Sequence, residues 1–445
     1  MNKFWLLTIL IISISLALAI TSFWDDSLIV DEIPHVGSGY GYVKALDYRL
    51  NPEHPPLAKA LAAAPLLFFD LNQDAFQTKF WLTDINGQWD FGRFLIFQSD
   101  NDADLITKVV KFPMLIFFVL SAVLTALWTK NLYGRLAGLT ALTIFSFSPT
   151  IITHSRFVTT DMPALFGVIL ATYTFLKFLR SPKSQKLLWV AGLSFGVAIL
   201  TKFSTFLLTP YFLVLAVVFT LTNRSQKTSK FYILGSMFLI FIIGFVFIVW
   251  PVYYLFTFNY PPERQVADTT HILGSFGNRT LADINVWMAD KPVIRALGQY
   301  MLGLLMVGQR AVGGNTTYFL GEVSAEGWKH YFPVVYALKE PLAWLILLAI
   351  ALVYTAWQYS CFKKPKQVWR DWVDFTKNHF TEFAMLLWIL IYWGSSIYGN
   401  LNIGVRHLLP TYPFMIILVA GQLSKIKNKL KIKSKKLYSM FYVLC

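Results

Sequence analysis

The chain has 445 residues, of which 56% are hydrophobic and 14% charged, with a formal net charge of +15. Soluble globular chains carry about 25% charged residues, so the composition excludes a single water-soluble domain of this size. Two cysteines, Cys361 and Cys445, exclude a disulfide framework.

A helix needs about 17–25 apolar residues to cross roughly 30 Å of hydrocarbon. Stretches that approach or reach this length recur at Phe4–Phe23, Phe112–Trp128, Leu136–Ile152, Met162–Phe178, Leu187–Leu200, Phe203–Leu221, Phe231–Phe256, Leu342–Trp357, Phe383–Tyr398 and Leu408–Leu423. They predict an all-α polytopic membrane protein of about ten transmembrane helices. Ala17-Leu18-Ala19 would serve as a signal-peptide cleavage tripeptide, but the apolar stretch is long and only Met-Asn-Lys precedes it. Both features favour an uncleaved anchor.

Lys and Arg concentrate on the cytoplasmic side of membrane proteins. With Lys3 inside, every predicted inner connection is basic: Lys130 and Arg135; Lys177 to Lys186; Arg224 to Lys230; Lys363 to Lys377; and Lys425 to Lys436. The positive charge therefore reads as a topology signal and a contact with anionic lipid rather than with nucleic acid. The expectation is a multi-pass protein of the plasma or inner membrane with a cytoplasmic N-terminus. Residues 1–423 form one polytopic unit with outer loops at 24–111 and 257–339, and residues 424–445 form a basic cytoplasmic tail. The end of that tail, Leu437–Cys445, reads as the start of a further apolar helix.

In the first outer loop, Gly39–Leu50 and Leu57–Phe69 have helical composition, the second suited to lying along the outer membrane face. Between them, Asn51-Pro52-Glu53-His54-Pro55-Pro56 is a rigid connection, because proline restricts the backbone. Upstream, Asp31-Glu32-Ile33-Pro34-His35 places three ionisable groups just beyond the first span, a pattern that suits a general base with a metal- or substrate-binding neighbour and equally a hydrated acidic loop. Lys202 and Arg406 stand in very short outer connections between apolar helices, where a charge is costly unless partnered or functional. Asp161 begins a helix at its outer end and suits a helix cap as well as a site. Glu53 and His54 are candidate ligands for a divalent cation, although a lone His-Glu pair is a weak metal signal. No Gly-rich nucleotide-binding loop occurs, and none of the reading calls for a nucleotide cofactor. The sequons Asn278-Arg279-Thr280 and Asn315-Thr316-Thr317 fall in the second outer loop.

The run from Asp31 to Lys59, with its Asp-Glu pair and His54-Pro55-Pro56-Leu57-Ala58-Lys59, resembles the first extracytoplasmic loop of the protein O-mannosyltransferase and aminoarabinose-transferase-like membrane glycosyltransferases of the GT-C architecture. The likeness continues, in family order, through Thr160-Asp161-Met162-Pro163, Leu200-Thr201-Lys202, Tyr318–Glu322, Gly327-Trp328, Tyr331-Phe332-Pro333, Lys339-Glu340-Pro341 and Gly404–Pro410. The resemblance implies inverting transfer of a sugar from a polyprenyl-phosphate carrier to an extracytoplasmic protein Ser/Thr, lipid or glycan. It implies Asp31 as the base, with Glu32 beside it. Glu53, His54, Lys59, Asp161, Lys202, Arg406 and His407 would bind substrate or phosphate, and His35 is a secondary candidate. A phosphate leaving group needs cations more than a proton, so one carboxylate base suffices. The alternative reading is a transporter or flippase of lipid-linked sugars. Transporters place ionisable groups near the membrane midplane, whereas these carboxylates cluster in an outer loop.

Overall fold

The computed structural model describes residues 3–222, 230–359 and 365–444. The basic positions Arg224, Lys227, Lys363 and Lys364, and both cysteines, lie outside the described residues.

Each apolar stretch forms helix. Among the described residues, seven helices are long and apolar enough to cross a membrane: Lys3–Thr21, Ala103–Tyr133, Asp161–Arg180, Phe203–Thr222, Phe231–Phe256, Phe380–Tyr398 and Val405–Leu430. Two further spans are bent pairs, Arg135–Ser146 with Pro149–Ser155 at 63° and Tyr331–Lys339 with Leu342–Gln358 at 116°. The second bend falls where Glu340, extended at ψ 144°, precedes Pro341, because a proline pushes its predecessor out of the helical region. Gln185–Ile199 is the tenth apolar helix and is too short to span alone. The final helix, Tyr412–Leu444, runs on through residues 424–444.

Large apolar side chains such as Phe231, Phe238, Phe247, Leu352 and Leu390 remain exposed around the bundle, as expected of helices solvated by hydrocarbon. Inside, two apolar clusters pack. One joins Phe117, Phe118 and Phe145 to Tyr336 and Tyr412; the other joins Phe175, Phe195 and Phe212 to Trp388. The regular structure among the described residues is therefore helical, apart from one antiparallel hairpin, Thr317–Phe319 with Glu322–Ser324. Its turn residues Leu320 and Gly321 both have positive φ, which matches the right-handed strand twist.

The first long loop folds onto the bundle as a set of short helices. The one expected at Gly39–Leu50 runs instead over Glu32–Ala45, because Pro34 sits in its first turn, where a missing N–H costs nothing. It packs against Pro56–Ala63 and Gln88–Phe97. The second contact is close enough that a Cβ on Gly37 would lie 2.5 Å from Gly92 Cα, so only glycine lets these helices approach. From the second long loop, the helix Arg295–Gly313 presses on the Pro-rich connection at Gly303, where a Cβ would meet Pro52 O at 2.2 Å. These two approaches bring Gln88, Glu53 and Arg310 together.

Candidate active site

One cavity of about 150 Å³ opens where the first loop meets the ends of the membrane helices. Its lining includes Asp31, His35, Glu53, His54, Asp161, Lys202, Arg406 and His407. Residues far apart in sequence thus share a single space, which three ion pairs line.

Asp31 precedes the Glu32–Ala45 helix but makes no side-chain capping bond. Its carboxylate points to Arg406, with Oδ2 2.5 Å from Nη1, and its side chain is 40% exposed. Arg406 also donates Nε–H to Ile403 O at 3.2 Å. Asp161, buried at the start of its helix, accepts a hydrogen bond from Lys202 Nζ at 2.6 Å. Lys202 lies on the extended turn before the 3-10 segment Phe203–Leu207. Three cations, Lys202, Arg310 and Arg406, and three carboxylates, Asp31, Glu53 and Asp161, line the cavity. Each cation carries more donors than its pairing uses, so an incoming phosphate can bind without first breaking every pair.

Glu32 does not enter the cavity. Its Oε1 accepts from Val158 N–H and its Oε2 from Ile29 N–H, both at 2.8 Å. Burial raises its carboxyl above the ordinary range, opposed by the Lys111 ammonium. One helical turn later, His35 Nδ1 lies 2.8 Å from Val158 O. A carbonyl only accepts, so Nδ1 carries the proton and Nε2 is free to face the cavity. Glu32 and His35 share a helix face and together clasp the segment that carries Thr159 and Thr160 to Asp161. Burial, reinforced by the Lys59 charge, lowers the His35 imidazole to about 4.

Lys59 is also away from the cavity. It is fully buried and its three ammonium donors are used: Nζ bonds Tyr42 Oη at 2.8 Å, Asn51 O at 2.8 Å and His54 O at 2.7 Å. Burial holds it well below the ordinary lysine range. It ties both ends of the Asn51–His54 connection to the Pro56–Ala63 helix, a structural task that leaves no donor for a phosphate.

His54 stacks edge-on against His35, with ring centroids 5.0 Å apart, and burial lowers its imidazole well below the ordinary value. Glu53 accepts from Gln88 Nε2 at 2.9 Å and pairs with Arg310 at 3.4 Å. His407 is half-buried between the rings of Phe332 and Tyr392. No three His, Cys, Asp or Glu side chains among the described residues are grouped to hold a metal ion, and Glu53 is committed to Gln88 and Arg310. The residues present do not fit a divalent cation at Glu53 and His54.

Among the polar and aromatic lining residues, Gln88, Trp89 and Arg310 carried no sequence motif, and Asn51 stood in the Pro-rich connection without being a candidate. The local signals there are the Asn51-Pro52 and Asn86-Gly87 turns.

Residues 104–250 match the model of the dolichyl-phosphate-mannose-protein mannosyltransferase family. In structure the chain is similar to the oligosaccharyltransferase of Archaeoglobus fulgidus in its apo form, at 14% identity and a TM-score of 0.55, covering 98% of this chain and 52% of that one. The same figures hold for the archaeal oligosaccharyltransferase AglB from that organism in complex with an inhibitory peptide and a dolichol-phosphate. Similarity to the S. cerevisiae protein O-mannosyltransferase Pmt1-Pmt2 complex bound to the sugar donor covers 58% of this chain and 34% of that one, at 20% identity and a TM-score of 0.40. No curated protein matches the chain. The chain thus shares the fold of the archaeal structures, and residues 104–250 within it carry the likeness to the mannosyltransferase family. The chain spans about half the length of the archaeal neighbours.

Proposed function

We propose that this chain transfers a sugar from a polyprenyl-phosphate carrier to a hydroxyl group on the extracytoplasmic side of the membrane, with Asp31 as general base. The observation that carries the reading is the pair of ion pairs, Asp31–Arg406 at 2.5 Å and Asp161–Lys202 at 2.6 Å, lining one cavity at the helix ends.

The acceptor oxygen attacks the anomeric carbon, the bond from that carbon to the phosphate oxygen breaks, and the phosphate leaves with the bonding electrons. Arg406 and Lys202 take up the charge that develops on the phosphate, as preorganised cations do in a site shielded from bulk water. Asp31, more exposed than Asp161, takes the proton of the acceptor hydroxyl. A single displacement inverts the sugar carbon. Asp161 holds Lys202 in place, and the clasp of Glu32 and His35 on Val158 sets the position of Asp161. The AglB neighbour bound to dolichol-phosphate supports a polyprenyl-phosphate partner. The basic inner connections would keep the N-terminus cytoplasmic and meet anionic lipid. Residues 1–423 would form the transferase unit, with 424–445 as a basic cytoplasmic tail.

The test is transfer of radiolabelled sugar from polyprenyl monophosphate donors into membrane and secreted-protein fractions, comparing wild type with Asp31→Asn. Label seen with wild type alone supports the reaction and the base together, and the labelled fraction names the acceptor as protein, lipid or glycan. Equal labelling by both proteins would remove Asp31 from the mechanism.

A further inference from the structure

A larger cavity, of about 450 Å³, lies at the end of the bundle away from the active site. The helices Leu342–Tyr359 and Phe380–Tyr398 both pack on the final helix, Tyr412–Leu444, and this cavity is the space left between them. Tyr392, against His407, marks the active-site end of its helix. Glu382, which lines the second cavity, stands about 15 Å back along the same helix at 1.5 Å per residue.

The walls and the mouth of this cavity differ in kind. Leu348, Leu352, Leu386, Ile389, Met415 and Leu418 form an apolar channel, and Leu352 and Leu386 are exposed, so the channel opens to the surrounding hydrocarbon. On the final helix the lining runs from Met415 to Lys425, about 15 Å. That is half of what a membrane-spanning helix covers, and it suits a lipid tail. The polar lining gathers at the other end: Asp371, His379, Glu382, Gln422 and Lys425.

The mouth is organised. His379 Nδ1 lies 3.5 Å from Glu382 Oε1, and Tyr133 Oη donates to the same oxygen at 3.1 Å, which leaves Oε2 to accept from a further donor. Lys425 Nζ lies 6.0 Å from the centre of the Tyr133 ring. Gln422 Oε1 is buried with no hydrogen-bond partner among the described residues, although buried carbonyl oxygens are rarely left unpaired.

Two carboxylates and one lysine suit a head group that carries both signs: an anion for Lys425 and a cation with N–H donors for Asp371, Glu382 and Gln422. A phosphate ester of ethanolamine on a diacylglycerol supplies both, together with the tail. A choline head has no N–H to give the acceptors. A glycerol head lacks the cation and brings a net negative charge to two carboxylates. We propose that this cavity binds one phosphatidylethanolamine molecule from the leaflet it faces. The phosphate sits on Lys425, the ammonium among Asp371, Glu382 and Gln422, and one tail in the channel. None of these residues takes part in the proposed transfer.

Native mass spectrometry of the full chain released from detergent micelles, with phospholipids of identical tails added, tests the site. Wild type should retain one phosphatidylethanolamine about tenfold more tightly than phosphatidylcholine or phosphatidylglycerol, and bare polyprenyl phosphate should not displace it. Leu386→Trp, which fills the channel, should weaken all three phospholipids. Asp371→Asn should reduce the preference for the ethanolamine head over choline, and Lys425→Gln should weaken both of those lipids alike. Each variant should keep the wild-type melting temperature in lipid-free detergent. Equal retention of the three phospholipids by wild type would overturn the head-group recognition. Wild-type behaviour in all three variants would put the lipid elsewhere, and displacement by polyprenyl phosphate would give the cavity to the carrier; either overturns the site. So would a wild type that retains no phospholipid and instead self-associates, with Leu386→Trp monomeric, because the occupant would then be a second copy of the chain.

Discussion

Arg406 Nη1 lies 2.5 Å from Asp31 Oδ2, which ties the first loop to the start of the final membrane helix across nearly the whole length of the chain. Next to it, Lys202 holds Asp161 at 2.6 Å. The two pairs differ in burial: Asp161 is 5% exposed and Asp31 40%. In the proposed reaction, that difference makes Asp161 the structural carboxylate and Asp31 the reacting one.

Replacing Arg406 with lysine keeps the charge but removes the planar fork that holds a phosphate through two parallel hydrogen bonds. Arg406→Lys should raise the KM for the polyprenyl-phosphate donor about tenfold or more and change kcat less. Initial rates at varied donor concentration check it; an unchanged KM would place the phosphate elsewhere.

Breaking the buried pair from one side leaves an uncompensated charge. Asp161→Asn should destabilise the protein by about 3–5 kcal/mol. The double variant Asp161→Asn with Lys202→Met should recover part of that loss, because the stranded ammonium is gone. Thermal unfolding of single and double variants in detergent measures the coupling, and simple additivity would contradict it.

Lys59→Met tests the structural assignment of a residue that the sequence resemblance places on the phosphate. The loss of three buried hydrogen bonds should lower the melting temperature, at about 1 kcal/mol or more for each bond. The affinity of the folded fraction for bare polyprenyl phosphate should stay as in wild type. A selective loss of lipid affinity with unchanged stability would return Lys59 to the phosphate.

His35 makes stability depend on acid. Its imidazole is ordinarily near 6.5 and about 4 in the folded protein, so between these values the unfolded chain binds a proton that the folded chain refuses. This contribution is complete above pH 6.5 and is lost as pH falls towards 4; it amounts to about 3 kcal/mol. His35→Gln, which can still donate to Val158 O, should melt at a temperature less dependent on pH across that window. Parallel pH profiles for the two proteins would refute the assignment.

The ten apolar stretches were legible because hydropathy is a local property, and each of them forms helix. The site was legible in part for a similar reason. Lys202 and Arg406 stand in short polar breaks between apolar runs and Asp31, Glu53 and His54 in the first outer loop, and the family model that matches residues 104–250 agrees with the family the resemblance named.

Which of these side chains share a space is a different kind of fact. Asp31 and Glu32 are neighbours in sequence, but successive residues of a helix point about 100° apart, so one faces the cavity and the other is buried against Val158. Lys59 follows the same motif as His54 and turns inward to hold the loop backbone. Gln88, Trp89 and Arg310 had no motif to announce them, and Asn51 stood in the Pro-rich connection only as a turn residue. They meet because glycines at 37, 92 and 303 let backbones approach within distances that a Cβ would forbid. Composition and periodicity determine which segments enter the membrane. Only long-range packing decides which polar groups meet at its edge, since the contacts that select them join residues with no local relation in the chain.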